Sequence, residues 1–555
     1  MKTVILLIVF LFVNCNSASS APIDSIVIQK FQVEKLVSLC KVWGFLKYYH
    51  PKVAAGEFNW DEKLFEILPK IELAKNKKEF STVMEQWIER LGKVDAVGNK
   101  IVKKKVDYFD KNFDLSWIEK NQLFSKNLQQ KLRFVEKNRI VSNQHYVEFI
   151  KTVDHLSIIN EKSYPNFKWE NDNLRMLLLF RYWNYVEYFF PYKYQMTQNW
   201  NTTLNEFIPK FIERNSELNL HLTTAALIAK LDDSHATIKT AILDDYFGNN
   251  WIASRFKIIN KKAIITRFYN DSLAKIDDLK MGDEIIEIDD KPVADLINER
   301  WDYISGSNNA VKNRNLRFAL LNGQTNSAKI KYIRDSQINV KTIKRYSDKV
   351  LNIGELKHTP WKIIDGNIGV VNMKALKLKI NTAFKELTNT KAIIFDLRND
   401  SSLNLVEVSS FLNDKQSEFI RYIFPDLHYP GRFIWQQSRK CGSERQDHYK
   451  GKVVLLLNEF AQSSFEYMAM GFQTAPNITL VGSQTAGANG AICSFNILDG
   501  FPTRITSVGV FYPDKRETQR IGIVPNIVVQ ETIKGIRDGK DEVIERAIEF
   551  INLGK

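Results

Sequence analysis

The sequence predicts an α/β multidomain protein in three parts: an N-terminal helical repeat region, a small β-rich domain and a C-terminal α/β layer. Three observations predict it. A helical segment recurs at a constant offset, a cluster of short strands and turns follows, and apolar strand-like runs then alternate with helical stretches. A length of 555 residues suits several domains at ~100–200 residues each. With 44% hydrophobic and 26% charged residues, most of the chain should be globular. The net charge of +14 would suit nucleic acid, but the lysines are scattered. Neither zinc-finger spacing nor an RNA-binding aromatic motif occurs, so the charge reads as a basic surface and no nucleic-acid partner is expected.

The first element is a leader. Met1-Lys2 precedes an apolar run from Val4 to Val13, and small polar residues follow from Asn16 to Ser20. Ten apolar residues are too few to cross a bilayer core of ~30 Å as a helix. They match the apolar stretch of a signal peptide over residues 1–21, with cleavage after Ala21. Lipid modification at Cys15 is the other reading. No later run is long enough for a membrane helix. Cys40, Cys441 and Cys493 allow at most one intrachain disulfide, fit no metal spacing and read as buried free thiols.

The repeat comes next. Val42-Trp43-Gly44-Phe45-Leu46-Lys47-Tyr48-Tyr49-His50-Pro51 recurs as Tyr182-Trp183-Asn184-Tyr185-Val186-Glu187-Tyr188-Phe189-Phe190-Pro191, an offset of 140. The same offset pairs Asn59-Trp60 with Asn199-Trp200, Pro69-Lys70 with Pro209-Lys210, and Leu91 with Leu231. Two copies of one helical unit are expected, over 25–165 and 170–248, with each proline ending or starting a helix. Only the second copy runs on into Asp232-Asp233-Ser234-His235.

Residues 250–348 read as the β-rich domain. Phe256–Ile259 and Ala263–Thr266 are short strands. Gly282-Asp283 gives a turn, Glu284 to Ile288 a strand and Asp289-Asp290 the next turn. This run resembles the GD-x-I-x-x-I-D-G-x-x-V segment of PDZ domains, with Asp290 in place of the glycine. The resemblance implies a PDZ-like fold, which takes peptide C-termini as an added strand.

Over 360–550, Gly369–Met373, Ala392–Arg398, Val453–Asn458 and Ile478–Gly482 read as strands of a parallel α/β layer, whose sites sit at the strands' carboxyl ends. Asn458 to Glu466 ends one such strand and opens a helix reaching about Gln473. A serine at that junction lies near backbone N–H groups able to hold an oxyanion. Ser463-x-x-Glu466 is equally a helix capping box.

Together with Leu480-Val481-Gly482-Ser483-Gln484-Thr485-Ala486-Gly487, Asp396-Leu397-Arg398-Asn399 and Gly522-Ile523-Val524-Pro525-Asn526, the serine segment resembles the C-terminal-processing (tail-specific) serine peptidases. The resemblance spans about residues 225–550. It implies a ClpP/crotonase-like peptidase core with Ser463 as nucleophile. Family members with a Ser–Lys dyad carry lysine after the glycine of T-x-G-K, whereas Ala488 follows Gly487 here. In the tricorn-like branch the base is a histidine after a serine, placed before the PDZ domain, and Ser234-His235 matches it. A neutral imidazole, with an ordinary pKa of ~6.5, suits proton abstraction near neutral pH. The family's supporting glutamate falls on Gln519, with Glu517 as the alternative. The oxyanion donors fall on the N–H of Ser464 and on the loop near Asp400 and Ser401.

The resemblance thus implies a serine peptidase, and the leader at residues 1–21 adds the expectation of an extracytoplasmic bacterial location: periplasmic, secreted or lipoprotein-anchored. The resemblance implies action through an acyl-enzyme on peptides or unfolded proteins, with the PDZ-like domain offering a way to engage their C-termini, and no metal or other cofactor is expected. The alternative class is a peptide-binding protein of the same fold without turnover, suggested by Gln519 and the missing lysine. Cys493 lacks a strand–helix turn before it and is a poor nucleophile candidate.

Overall fold

The computed structural model describes residues 23–96, 106–140, 143–351, 359–376, 379–398 and 405–554. The leader, Asp400 and Ser401 lie outside the described residues.

The two repeat copies share one internal lock. In the first, helices Ile23–Tyr49, Trp60–Leu73 and Lys77–Glu89 follow one another; in the second, Asp172–Phe189, Trp200–Ile212 and Glu217–Ala229 do. Trp43 and Trp60 stack, and each indole N–H donates to the other's backbone carbonyl, at 3.2 and 3.1 Å. Trp183 and Trp200 repeat this at 3.0 Å both ways. All four rings are buried, so their N–H groups need such partners. Asn59 and Asn199 cap the second helix of each copy, where a short polar side chain accepts a first-turn N–H. The buried cations Lys35 and Arg175, also at matching positions, bond carbonyls at the end of that helix.

Pro51 does start a helix. Pro69 and Pro209, expected at helix boundaries, instead lie inside the second helices near their C-terminal ends. Buried Leu64, Ile67 and Ile71 around the one, and Leu204, Phe207 and Phe211 around the other, hold the helices in the core despite the lost N–H.

The β-rich domain is a sheet in the order Asn250–Ile252, Gln337–Ser347, Ser327–Arg334, Glu284–Ile288, Lys262–Phe268, Ser254–Ile259. Asp289 and Asp290 both take positive φ, 49° and 63°, in the turn after Glu284–Ile288. Aspartate tolerates that region better than most residues, which is how Asp290 stands where glycine was expected.

The C-terminal layer has six strands in the order Trp361–Ile364, Ile368–Asn372, Ala392–Asp396, Lys452–Leu457, Ile478–Gly482, Ile527–Val528. The first pair is antiparallel and the others are parallel. Strand alternation divides the central side chains between two faces. Ile393, Phe395, Val453 and Leu455 pack under helices Leu405–Leu412 and Ser464–Phe472. Ala392, Ile394, Val454 and Leu456 pack against Val543, Ala547 and Ile551 of helix Glu542–Leu553. Both faces being covered explains the unbroken apolar runs.

Two smaller sheets tie the parts together. Strand Tyr108–Phe109, which follows the helices of the first repeat copy in the chain, pairs with Phe433–Trp435 of the C-terminal part. Thr237 and Ile238, just after His235, pair with Arg504 and Thr503. No helix among the described residues is long and apolar enough to cross a membrane.

Candidate active site

Ser463 stands between the Lys452–Leu457 strand and the Ser464–Phe472 helix with φ 60° and ψ −115°. That is a left-handed backbone for a non-glycine residue, costing on the order of 1–3 kcal/mol. A set of hydrogen bonds centred on Glu466 holds the turn. The Ser463 N–H donates to Ala488 O at 2.9 Å and lies 3.3 Å from Glu466 Oε2. Glu466 is buried and also accepts from Thr485 Oγ1 at 2.5 Å, Gly487 N at 2.8 Å and Ala488 N at 2.9 Å. Burial pushes its carboxyl above the ordinary range, while these donors pull the other way.

The glutamate half of a capping box is therefore present. The Ser463 side chain faces the Glu466 backbone N–H in the other half of that box, without forming a cap hydrogen bond of full strength. Ser464 begins the helix, where an N–H has no intrahelical acceptor. Ala488, where a lysine would stand in a Ser–Lys dyad, spends its N–H and carbonyl on this turn.

His235 sits on a buried loop beside it. Gln462 Nε2 donates to Ser234 O at 3.2 Å, joining the neighbour of Ser463 to the neighbour of His235. His235 Nδ1 lies 2.9 Å from Thr506 Oγ1 and 4.0 Å from Asp233 Oδ1. Its Nε2 is buried without a partner. Burial holds the imidazole below its ordinary pKa; Asp233 opposes this, and Arg504 and Arg314 add to it. Asp233 has no exposed surface and accepts from His235 N at 3.1 Å, Thr506 N at 3.0 Å and Thr506 Oγ1 at 2.8 Å.

Other expected site residues stand elsewhere. Gln519, expected to orient the histidine, instead donates to Asp233 Oδ1 at 3.3 Å, because the buried carboxylate two residues before the histidine intervenes. Glu517 bonds Lys111, Tyr194 and Gln195 and leaves the imidazole alone. The Ser234 hydroxyl is 3.0 Å from the Ser307 hydroxyl, and each serine's N–H donates to the other's Oγ at 2.8 Å. That clasp ties the histidine loop to the β-rich domain rather than presenting a hydroxyl. From the same domain Arg314 donates to Glu459 O and Gln462 Oε1, both at 2.8 Å. Cys493 is buried in a strand with its thiol pushed up to about 12 by burial, far from thiolate chemistry.

The late glycines explain the loop motifs. Gly487 and Gly522 both have positive φ, and a Cβ on Gly522 would lie 2.5 Å from Thr485 Oγ1. Asn526 accepts from Leu480 N at 2.9 Å, tying that turn to the sheet. Sequence reasoning missed Asp233 and Thr506. The first had a signal, a carboxylate two residues before the histidine; the second had none, since strand pairing alone brings it there.

No curated protein matches the chain in sequence. Among solved structures, mature CPAF complexed with lactacystin is 13% identical, covers 68% of this chain and 98% of its own, and has a TM-score of 0.53. The photosystem II D1 C-terminal processing protease is 15% identical over 66% of this chain and 98% of its own, at a TM-score of 0.39. Tricorn protease is 15% identical over 68% of this chain and 37% of its own, at 0.34. At such identities the CPAF likeness speaks for the fold. Family models match residues 252–362 as a PDZ domain and residues 367–529 as peptidase family S41. The chain therefore carries a peptidase family S41 domain behind a PDZ domain, and it is a serine-type peptidase.

Proposed function

We propose that Ser463 is the nucleophile of this peptidase and His235 its general base. One observation carries the reading. A strained serine at a strand-to-helix turn, whose hydroxyl makes no cap hydrogen bond, is stitched to the loop of a buried histidine whose Nε2 is unbonded.

In the proposed reaction the substrate's peptide carbonyl settles against the start of the Ser464–Phe472 helix. His235 Nε2 takes the proton of Ser463 Oγ as the oxygen attacks, and the Ser464 N–H holds the developing oxyanion, with the loop at Asp400 and Ser401 as the source of a second donor. The imidazolium then protonates the leaving amine. Water, activated by the same nitrogen, hydrolyses the acyl-enzyme and restores the serine. Serine and imidazole come into hydrogen-bonding reach as substrate binds; catalytic contacts commonly tighten only in the complex.

The substrates on this reading are peptides or unfolded proteins, with the PDZ domain as a receptor for their C-termini. The apolar run Val4–Val13 supports an extracytoplasmic location, which cell fractionation checks. A fluorophosphonate probe tests the site directly. The wild-type chain should label, Ser463→Ala should not, and His235→Ala should label at least ~100-fold more slowly. Labelling that survives Ser463→Ala would remove the serine from the mechanism.

A further inference from the structure

We propose that the acid supporting His235 is Asp233, and that it acts through the hydroxyl of Thr506 rather than by touching the imidazole. This rests on the assignment of His235 as the base. Asp233 Oδ2 and Thr506 Oγ1 are 2.8 Å apart, and a carboxylate can only accept, so the hydroxyl proton points at Asp233. Thr506 Oγ1 then has only lone pairs for His235 Nδ1, 2.9 Å away, and that nitrogen must be the one carrying a proton. The tautomer follows: Nδ1–H donates to threonine and Nε2 keeps its lone pair for Ser463.

The carboxylate itself is held from four directions. The backbone N–H groups of His235 and Thr506, the Thr506 hydroxyl and the Gln519 amide all donate to it, and it has no exposed surface. Gln519 is thus a positioning residue for Asp233. This gives it a role at the place where the family resemblance led us to expect a glutamate: the negative charge has moved to residue 233, and an amide there can donate where a second carboxylate would repel.

The proton balance is simple. When Ser463 attacks, its O–H bond breaks and the proton moves to Nε2. Nδ1–H stays on Thr506 and the threonine proton stays on Thr506, drawn toward Asp233. The carboxylate gains no proton; it stabilises the imidazolium across two short hydrogen bonds. Charges facing the ring are Asp233 on its own loop, Arg504 on the Pro502–Thr506 strand and Arg314 on the Asn309–Leu316 helix. The two arginines disfavour the imidazolium, which makes the single buried acid matter more.

The test is the second-order rate of fluorophosphonate labelling of the full chain as a function of pH. Thr506→Val keeps the shape and removes the hydroxyl. It should label at least ~100-fold more slowly, and the acidic limb of its profile should move to lower pH, since the imidazolium loses support. Thr506→Ser should recover the rate to within about tenfold and restore the limb. Asp233→Asn should resemble Thr506→Val, and the double variant should be no slower than either within about threefold, because the pair acts as one unit. A Thr506→Val chain that labels within about threefold of wild type, or slows only in proportion to lost folded protein with an unmoved limb, overturns the relay. Loss of Ser463-dependent labelling in the wild type would instead overturn the assignment of serine and base on which the relay rests.

Discussion

Glu466 accepts four hydrogen bonds in a buried setting and has no ion-pair partner among the described residues. Its donors come from two segments, the turn at Ser463 and the loop Thr485 to Ala488. The glutamate of the serine motif and the Thr-x-Gly of the next motif are therefore one physical object, a clamp closing the nucleophile turn. Glu466→Gln offers an amide to N–H groups that need an acceptor. We expect it to cost about 3 kcal/mol in urea unfolding, since bonds to a charged group are worth ~1.5–3 kcal/mol each and part of the set survives. Fluorophosphonate labelling should fall further than the loss of folded protein explains. A Glu466→Gln chain of wild-type stability would show that the clamp is dispensable.

At the scale of elements, the two repeat copies meet where the Ile23–Tyr49 and Asp172–Phe189 helices cross at Gly44. A Cβ there would lie 1.7 Å from Asn184 Oδ1, and Asn184 Nδ2 donates to Cys40 O at 3.2 Å and Phe180 O at 2.8 Å. The repeat register aligns these two positions, so glycine in one copy makes room for asparagine in the other. Gly44→Ala should destabilise the chain by about 2–3 kcal/mol through forced separation of the helices. Asn184→Ala added to it should cost at least about 1 kcal/mol less than the two single effects summed, because the clash is gone. Thermal unfolding of the four-member cycle measures this; strict additivity would mean the helices do not meet there.

At the scale of the whole molecule, three parts converge on the nucleophile. The second repeat copy brings His235, the C-terminal layer brings Ser463 and Thr506, and the β-rich domain reaches in with Ser307 and Arg314. Convergence buries titratable groups. Burial lowers His50 and His221 to about 4 and lowers His235 as well. Each is neutral when folded but takes up a proton when unfolded below its ordinary ~6.5, so the unfolded state binds more protons as pH falls. For His50 and His221 the contribution is full above pH ~6.5 and is lost progressively down to about 4, at up to ~1.4 kcal/mol per pH unit for each group, and His235 acts in the same direction. Glu466, raised by burial, works in the opposite sense. Urea midpoints should therefore fall between pH 7 and pH 5; a midpoint that holds or rises would show that these histidines protonate in place.

What the sequence determined by itself is local or periodic. Unbroken apolar runs located the core strands, and Glu284–Ile288 and Ile478–Gly482 have the expected bounds. The 140-residue repeat was legible because buried indoles with fixed partners leave a rigid spacing. Ser463 and His235 stood out because each sits in a short motif.

Tertiary structure decided the rest. Whether Ser463 caps a helix depends on where its hydroxyl points, and on local pattern the two readings are identical. Asp233 and Thr506 meet His235 because the strand after the histidine pairs with Pro502–Thr506, a contact between segments about 270 positions apart. Register between distant strands is set by burial of whole faces, and no run of residues near either partner encodes it.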